Sequence, residues 1–177
     1  LSTTSSTGWT QAEQMLAEDD VLIYCPLDIS YFVKRIVKLV APRALILTES
    51  EIWPNLIRIC AERGVPVYLV NARVSDRSAP RYAKMRWWFK PIFNMFTRIM
   101  AQSEVDRDRL VAAGADLERV EVCGSFKFDV AHRNITKENE LREWLAQHDV
   151  TEKHIVLLGG STWPGEDFIL IYAYREL

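Results

Sequence analysis

The feature that most constrains this chain is a rhythm of short apolar runs. Stretches rich in aliphatic and β-branched residues recur at 21–25, 44–48, 66–70, 98–101, 119–123 and 154–158. Each has the length of a buried strand. Their starts lie about 21 to 35 residues apart, enough for a strand, a returning helix and two short loops. Between them, apolar residues fall three and four apart, as in Leu56, Ile57, Ile59 and Cys60 or in Leu110, Val111 and Ala113. Such spacing predicts helices laid on a sheet. Right-handed βα units building a parallel sheet follow, an α/β architecture of Rossmann-like type. Gly64 and Gly114 stand where two of these helices need C-caps.

Composition narrows the function classes. The 177 residues are 49% hydrophobic and 26% charged, which suits a globular chain with a sizeable core. Lysine and arginine number 22 against 24 acids, a net charge of -2, so the global basic footprint of a nucleic-acid binder is absent. Cys25, Cys60 and Cys123 are odd in number and far apart, which excludes a disulfide framework or a zinc knuckle. The three histidines, His132, His148 and His154, have no metal-binding spacing. No uncharged apolar run approaches the roughly 18 residues that span a bilayer.

Residues 1–8 read as the exit of a strand whose body lies before them, leading into a helix near 10–17. Residues 168–177 stop inside a helical pattern without a cap. The chain is therefore expected to be an internal piece of a longer protein. The polar stretch 127–153, with a helix-like segment at 141–147, reads as an interdomain connection with a boundary near residue 130. The strand expected at 154–158 opens onto Gly159, Gly160, Ser161 and Thr162, then Pro164 at a first helical position, like the first βα unit of a second α/β domain. The expected organisation is 1–130, a truncated N-terminal Rossmann-like domain; 131–153, a linker; and 154–177, the start of a C-terminal domain.

Candidate chemistry collects where strands end, because open α/β sheets bind ligands at the carboxyl edge. The run 44–48 ends in Glu49 and Glu51. Thr48 and Glu51 also have capping-box spacing, so Glu51 reads either as a helix cap or as a site residue; Glu49 has no such alternative. The run 66–70 ends in Asn71 and Arg73, where the guanidinium is either an anion clamp or a solvated loop arginine. Ser103, three residues before Asp106, reads as an N-cap. Ser161 and Thr162 at a helix start either meet phosphate or simply cap the helix. Between residues 81 and 98 there are five cations and no acid, interleaved with aromatics. Lys84, Arg86, Trp87, Phe89 and Lys90 form a candidate contact with an anionic membrane surface. The alternative is a core helix with Met85, Trp88, Ile92 and Phe96 on its inner face.

Four stretches in order, 48–55 (TESEIWPN), 70–78 (VNARVSDRS), 101–106 (AQSEVD) and 123–129 (CGSFKFD), resemble the successive motifs of the Kdo (3-deoxy-D-manno-octulosonic acid) transferases of lipid A and lipopolysaccharide biosynthesis. Residues 160–167 (GSTWPGED) are similar to the motif that opens the family's C-terminal domain, though Trp163 and Pro164 depart from many members. The resemblance implies a GT-B glycosyltransferase, inverting and metal-independent, moving Kdo from CMP-Kdo to a lipid A precursor at the cytoplasmic face of the bacterial inner membrane. It assigns 1–130 to the acceptor side and 154–177 to the nucleotide-sugar side. Glu49 and Glu51 take supporting catalytic roles, and Asn71, Arg73, Lys127, Ser161, Thr162 and Glu166 bind substrate. The family's general-base glutamate belongs to a Gly-Glu motif not found here, so this stretch is expected to be inactive alone. The rivals are a non-catalytic α/β binding module, a degenerate paralogue, or a GT-B enzyme using another nucleotide sugar.

Overall fold

The computed structural model describes residues 1–127, 134–151 and 153–176. Phe128 and Asp129 of the fourth motif, the boundary expected near 130, and His132 lie outside them. The chain divides into two compact units, Leu1–Val130 and Ala131–Leu177.

In the first unit, β1 (Ser2–Thr3) and β2 (Ile23–Tyr24) form a short parallel pair. Four more strands, β3 (Leu45–Thr48), β4 (Val67–Ala72), β5 (Arg98–Ala101) and β6 (Val120–Val122), form a parallel sheet in that order. The helices are α1 (Ser6–Glu13) between β1 and β2, and α2 (Ser30–Val40) between β2 and β3. Then come α3 (Pro54–Glu62), α4 (Ala79–Lys84) with α5 (Arg86–Phe93), and α6 (Glu104–Ala113), each following its strand. A 3-10 turn, Leu117–Arg119, leads into β6. The α/β, parallel-sheet reading is thus what the chain forms.

Because the order β3-β4-β5-β6 advances in one direction, its right-handed crossovers put the intervening helices on one face. That face carries the core. Leu47, Val67, Leu69, Ile99, Ala101 and Val120 pack with Ile57, Ile59 and Cys60 of α3, Phe89, Ile92 and Phe93 of α5, Phe96, and Leu110 of α6. Burying each aromatic ring contributes about 1.5–3 kcal/mol. Alternate strand residues point the other way. On that side Ile46 is exposed and Tyr68, Val70 and Met100 are half-buried.

Three local expectations are corrected. The basic aromatic segment is two helices, because Met85, at φ -97° and ψ 24°, leaves helical geometry between α4 and α5. That break shifts the helical phase, so Phe89, Ile92, Phe93 and Phe96 turn inward while Met85 and Trp88 are exposed. Pro91 sits inside α5 and does not end it. In the second unit, which contains α7 (Ile135–Gln147) and α8 (Glu166–Glu176), residues 154–158 form no ladder. A strand exists only with a neighbour to share its hydrogen bonds, and that unit has none among its described residues. Finally, α8 starts at Glu166, not at Pro164. Gly165 at φ +99° and the hydrogen bond from Glu166 N–H to the Trp163 carbonyl make a turn before it, so Thr162 is not its cap.

Both glycine stops hold. Gly114 caps α6 at φ +115°, and a Cβ there would lie 2.9 Å from the Lys90 Cα of α5. Gly64 follows α3 at φ +72° with open space around it.

Candidate functional site

The carboxyl edge of the four-stranded sheet brings together residues 49, 71, 73 and 127. The ladder runs one residue past β3, with Glu49 N–H donating to the Val70 carbonyl. Glu49 then turns into the left-handed region, φ +56°, and on the neighbouring strand Asn71 does the same at φ +53°. For a residue with a Cβ this costs about 1–2 kcal/mol, and such strain persists only where surrounding contacts impose it. At Glu49 the contacts are ionic. One Glu49 carboxylate oxygen lies 2.7 Å from Lys127 Nζ and the other 3.4 Å from Arg73 Nε. The hydrogen bond from Lys127 is the main cause that holds the Glu49 carboxyl below its usual range; burial opposes it, and the charges of Lys127 and Arg73 add to it. A carboxylate so stabilised is a weak proton acceptor and a good anchor. With one anion and two cations the cluster carries a net positive charge, open to an anionic group.

The β4–α4 loop that carries Arg73 is tied down from the next unit of the sheet. Gln102 Nε2 donates to the Asn71 carbonyl at 3.0 Å, and Asp106 Oδ1 accepts from Val74 N–H at 2.8 Å. Arg109 reaches the Val74 carbonyl at 2.6 Å and pairs with Asp76. Ser103 is the N-cap of α6, accepting from Asp106 N–H, as its spacing indicated. Beside Asn71 opens a cleft of about 510 Å³ lined by Val70, Asn71, Met100, Cys123, Gly124, Ser125 and Phe126. Asn71 is 2% exposed, and among the described residues neither polar atom of its carboxamide has a partner.

Glu51 is not a helix cap. Helix α3 begins six residues after Thr48, at Pro54, and Glu51 Oε2 accepts from Trp53 Nε1 at 2.8 Å. Its cap comes from another segment: Asp28 Oδ2 and Oδ1 accept from the Asn55 and Leu56 N–H groups at 2.9 and 2.8 Å. Asn55 Nδ2 returns a bond to the Asp28 carbonyl at 2.7 Å. The loop after β2 is thereby fastened to the loop after β3. Burial, then the charges of Asp28 and Glu51, push the Cys25 thiol up. Among the described residues no three His, Cys, Asp or Glu side chains are grouped to hold a metal.

Ser161, Thr162 and Glu166 belong to the second unit. Ser161 and Thr162 are exposed, Ser161 at φ +53°, and Glu166 Oε2 accepts from Trp163 N–H at 2.9 Å. The membrane candidates separate. Trp87 is 76% exposed, and Lys84 and Lys90 are exposed beside it. Phe89 is 8% exposed and packs on Tyr82, Trp88 and Phe93, so it is a core residue. Arg86 donates to the Val111 and Ala112 carbonyls, capping the C-terminus of α6. A second surface of the same chemistry went unread in the sequence. Helix α2 exposes Tyr31, Phe32, Leu39 and Val40 beside Lys34, Arg35 and Lys38, and no acid occurs between Asp28 and Glu49. Among the described residues, no helix is long and apolar enough to cross a membrane.

The profile of the 3-deoxy-D-manno-octulosonic-acid transferase (kdotransferase) family matches residues 1–130. The chain belongs to this family. Among curated relatives, a bifunctional glycosyltransferase/methyltransferase of Fusobacterium nucleatum is 32% identical over the whole chain and 28% of its own length. A 3-deoxy-D-manno-octulosonic acid transferase of Haemophilus influenzae is 29% identical over 99% of the chain and 40% of its own length. One from Bordetella pertussis is 34% identical over 87% and 34%. The chain thus spans less than half the length of these relatives. A solved structure of UDP-N-acetylglucosamine 2-epimerase from Rickettsia bellii superposes with a TM-score of 0.50 at 17% identity, over 85% of this chain and 43% of that one, a likeness of fold.

Proposed function

We propose that the protein carrying this chain is an inverting, metal-independent Kdo transferase that moves Kdo from CMP-Kdo to a lipid A precursor. The observation that carries this reading is the Glu49 bridge to Lys127 and Arg73 at the sheet's carboxyl edge, in a chain of this family. In this reading residues 1–130 form the acceptor side, 131–153 the linker, and 154–177 the start of the nucleotide-sugar side, where Ser161, Thr162 and Glu166 meet the donor.

Transfer with inversion needs a base for the acceptor hydroxyl, stabilisation of an oxocarbenium-like centre, and cations for the anionic groups on donor and acceptor. Glu49, held ionised, anchors Lys127 and Arg73 and adds negative potential near the developing positive carbon. Glu51, steadied by Trp53, orients the acceptor hydroxyl. Neither serves as the base, and residues 1–177 alone do not turn over. The lipid acceptor places the enzyme on the cytoplasmic face of the inner membrane. The exposed cations and aromatics of α2, with Lys84, Trp87 and Lys90, face the anionic lipid there.

The test is to incubate the complete protein with CMP-Kdo and a lipid A precursor in the presence of a chelator, and to determine the anomeric configuration of the product by NMR. Kdo-lipid of inverted configuration is expected. No transfer by folded protein would leave a binding module or degenerate paralogue, and transfer from another nucleotide sugar alone would leave a different GT-B enzyme.

A further inference from the structure

Asn71 combines three observations that packing does not explain. It is almost wholly buried, yet among the described residues its Nδ2 and Oδ1 have no partner. Buried polar groups are normally paired, and each exception calls for a reason. It also lines an open cleft whose other walls alternate apolar surface, Val70, Met100 and Phe126, with the polar turn Gly124–Ser125. Lastly, its main chain is already engaged: its carbonyl accepts from Gln102, and its backbone turns out of the strand at φ +53°. The main chain at Asn71 is therefore anchored while the carboxamide keeps its hydrogen-bonding capacity unspent.

An amide offers two donors and an acceptor within a few ångströms. Its natural complement is a pair of neighbouring hydroxyls, each able to accept and donate. The cleft walls fit the same ligand, since a pyranose has an apolar C–H face for Phe126 and a polar hydroxyl rim. We infer that this cleft is a sugar subsite in which Asn71 recognises adjacent ring hydroxyls, directly or through one bridging water. The charged bridge of Glu49, Arg73 and Lys127 lies outside the cleft lining, so the subsite handles the neutral part of a substrate whose anionic part goes to the cations. This rests on the proposed glycosyl transfer and adds to it a specificity-determining residue.

Asparagine also tolerates the left-handed region, so a purely conformational role for Asn71 is the rival. Glycine separates the two, because it adopts that φ freely and has no amide. In the complete protein, Asn71→Gly is expected to keep its melting temperature within a few degrees and its kcat within about threefold, while KM for one sugar substrate rises at least about tenfold, the loss of one hydrogen-bonding group. Titrating lipid acceptor and CMP-Kdo separately shows whose hydroxyls are read. Asn71→Asp, equally at ease at this φ, removes the N–H donors and should raise the same KM. Unchanged KM values for both substrates in a folded Asn71→Gly or Asn71→Asp enzyme would overturn the inference and leave the transferase reading intact. A wild-type protein that transfers no Kdo would instead overturn the function on which the inference rests.

Discussion

Helix α3 takes its N-terminal cap from Asp28, and removing that cap has a calculable cost. In Asp28→Ala the Asn55 and Leu56 N–H groups lose their acceptors in a half-buried setting. Losing a capping side chain costs typically about 1 and at most about 2 kcal/mol. Losing the negative charge at the positive end of the helix adds about 0.3–1 kcal/mol. The expected destabilisation is thus about 1.5–3 kcal/mol, and Asp28→Asn, which keeps one acceptor oxygen, should lose about half of that. Glu51→Ala is the control. Were Glu51 the partner in a capping box with Thr48 it would cost about 1 kcal/mol; bonded instead to Trp53 Nε1 in an exposed setting, it should cost under about 0.5 kcal/mol. Urea unfolding followed by circular dichroism, with midpoints compared at constant slope, measures all three. A Glu51→Ala loss equal to or larger than that of Asp28→Ala would refute the assignment of the cap.

Three further outcomes are expected. Glu49 has a folded-state pKa below its unfolded value near about 4.3, so its contribution to stability is present above that value and fades as the pH falls through the folded pKa; in Lys127→Ala the carboxyl pKa, read by NMR, should move up toward the ordinary range, and no movement would dissolve the bridge. Glu49→Gln in the complete enzyme should lower kcat by more than its loss of stability explains, with both measured on the same preparation. Gly114→Ala should cost clearly more in thermal unfolding than Gly64→Ala: both meet the left-handed penalty of about 1–2 kcal/mol, but only the first also drives a methyl into Lys90.

What was legible in the sequence follows the range of the forces involved. Strands β3 to β6 announced themselves as short aliphatic and β-branched runs, although only the face under the helices is buried and Ile46 on the other is exposed, and Gly64 and Gly114 because only glycine rests easily at their φ. The edge residues Glu49, Asn71 and Arg73 were found by the same logic, since a parallel sheet defines where loops converge. Asp28 was not, because its partners lie 27 and 28 residues away and no local spacing encodes that meeting. Capping-box arithmetic at Thr48 misled for the same reason. Phe89 was misassigned because one non-helical residue, Met85, resets the phase that a periodicity argument assumes unbroken. The α2 surface was legible in composition but hidden behind the louder aromatic segment 81–98.

The strand order of the four-stranded sheet also bears on how the chain acquires its structure. Each new strand from β3 to β6 is laid beside the one made just before it, so every closure spans only one βα unit. The entropic cost of loop closure grows with the length closed, and topologies built from neighbouring segments fold faster than those awaiting distant ones. A nascent chain can therefore add β4, β5 and β6 in turn as they emerge, each crossover helix sealing the core against the last. Asp28 acts outside that sequence. By clasping α3 from the loop after β2, it ties the β1–β2 pair to the four-stranded sheet through a contact that needs no residue beyond Leu56, its two ends on either side of the segment that carries Glu49 and Glu51.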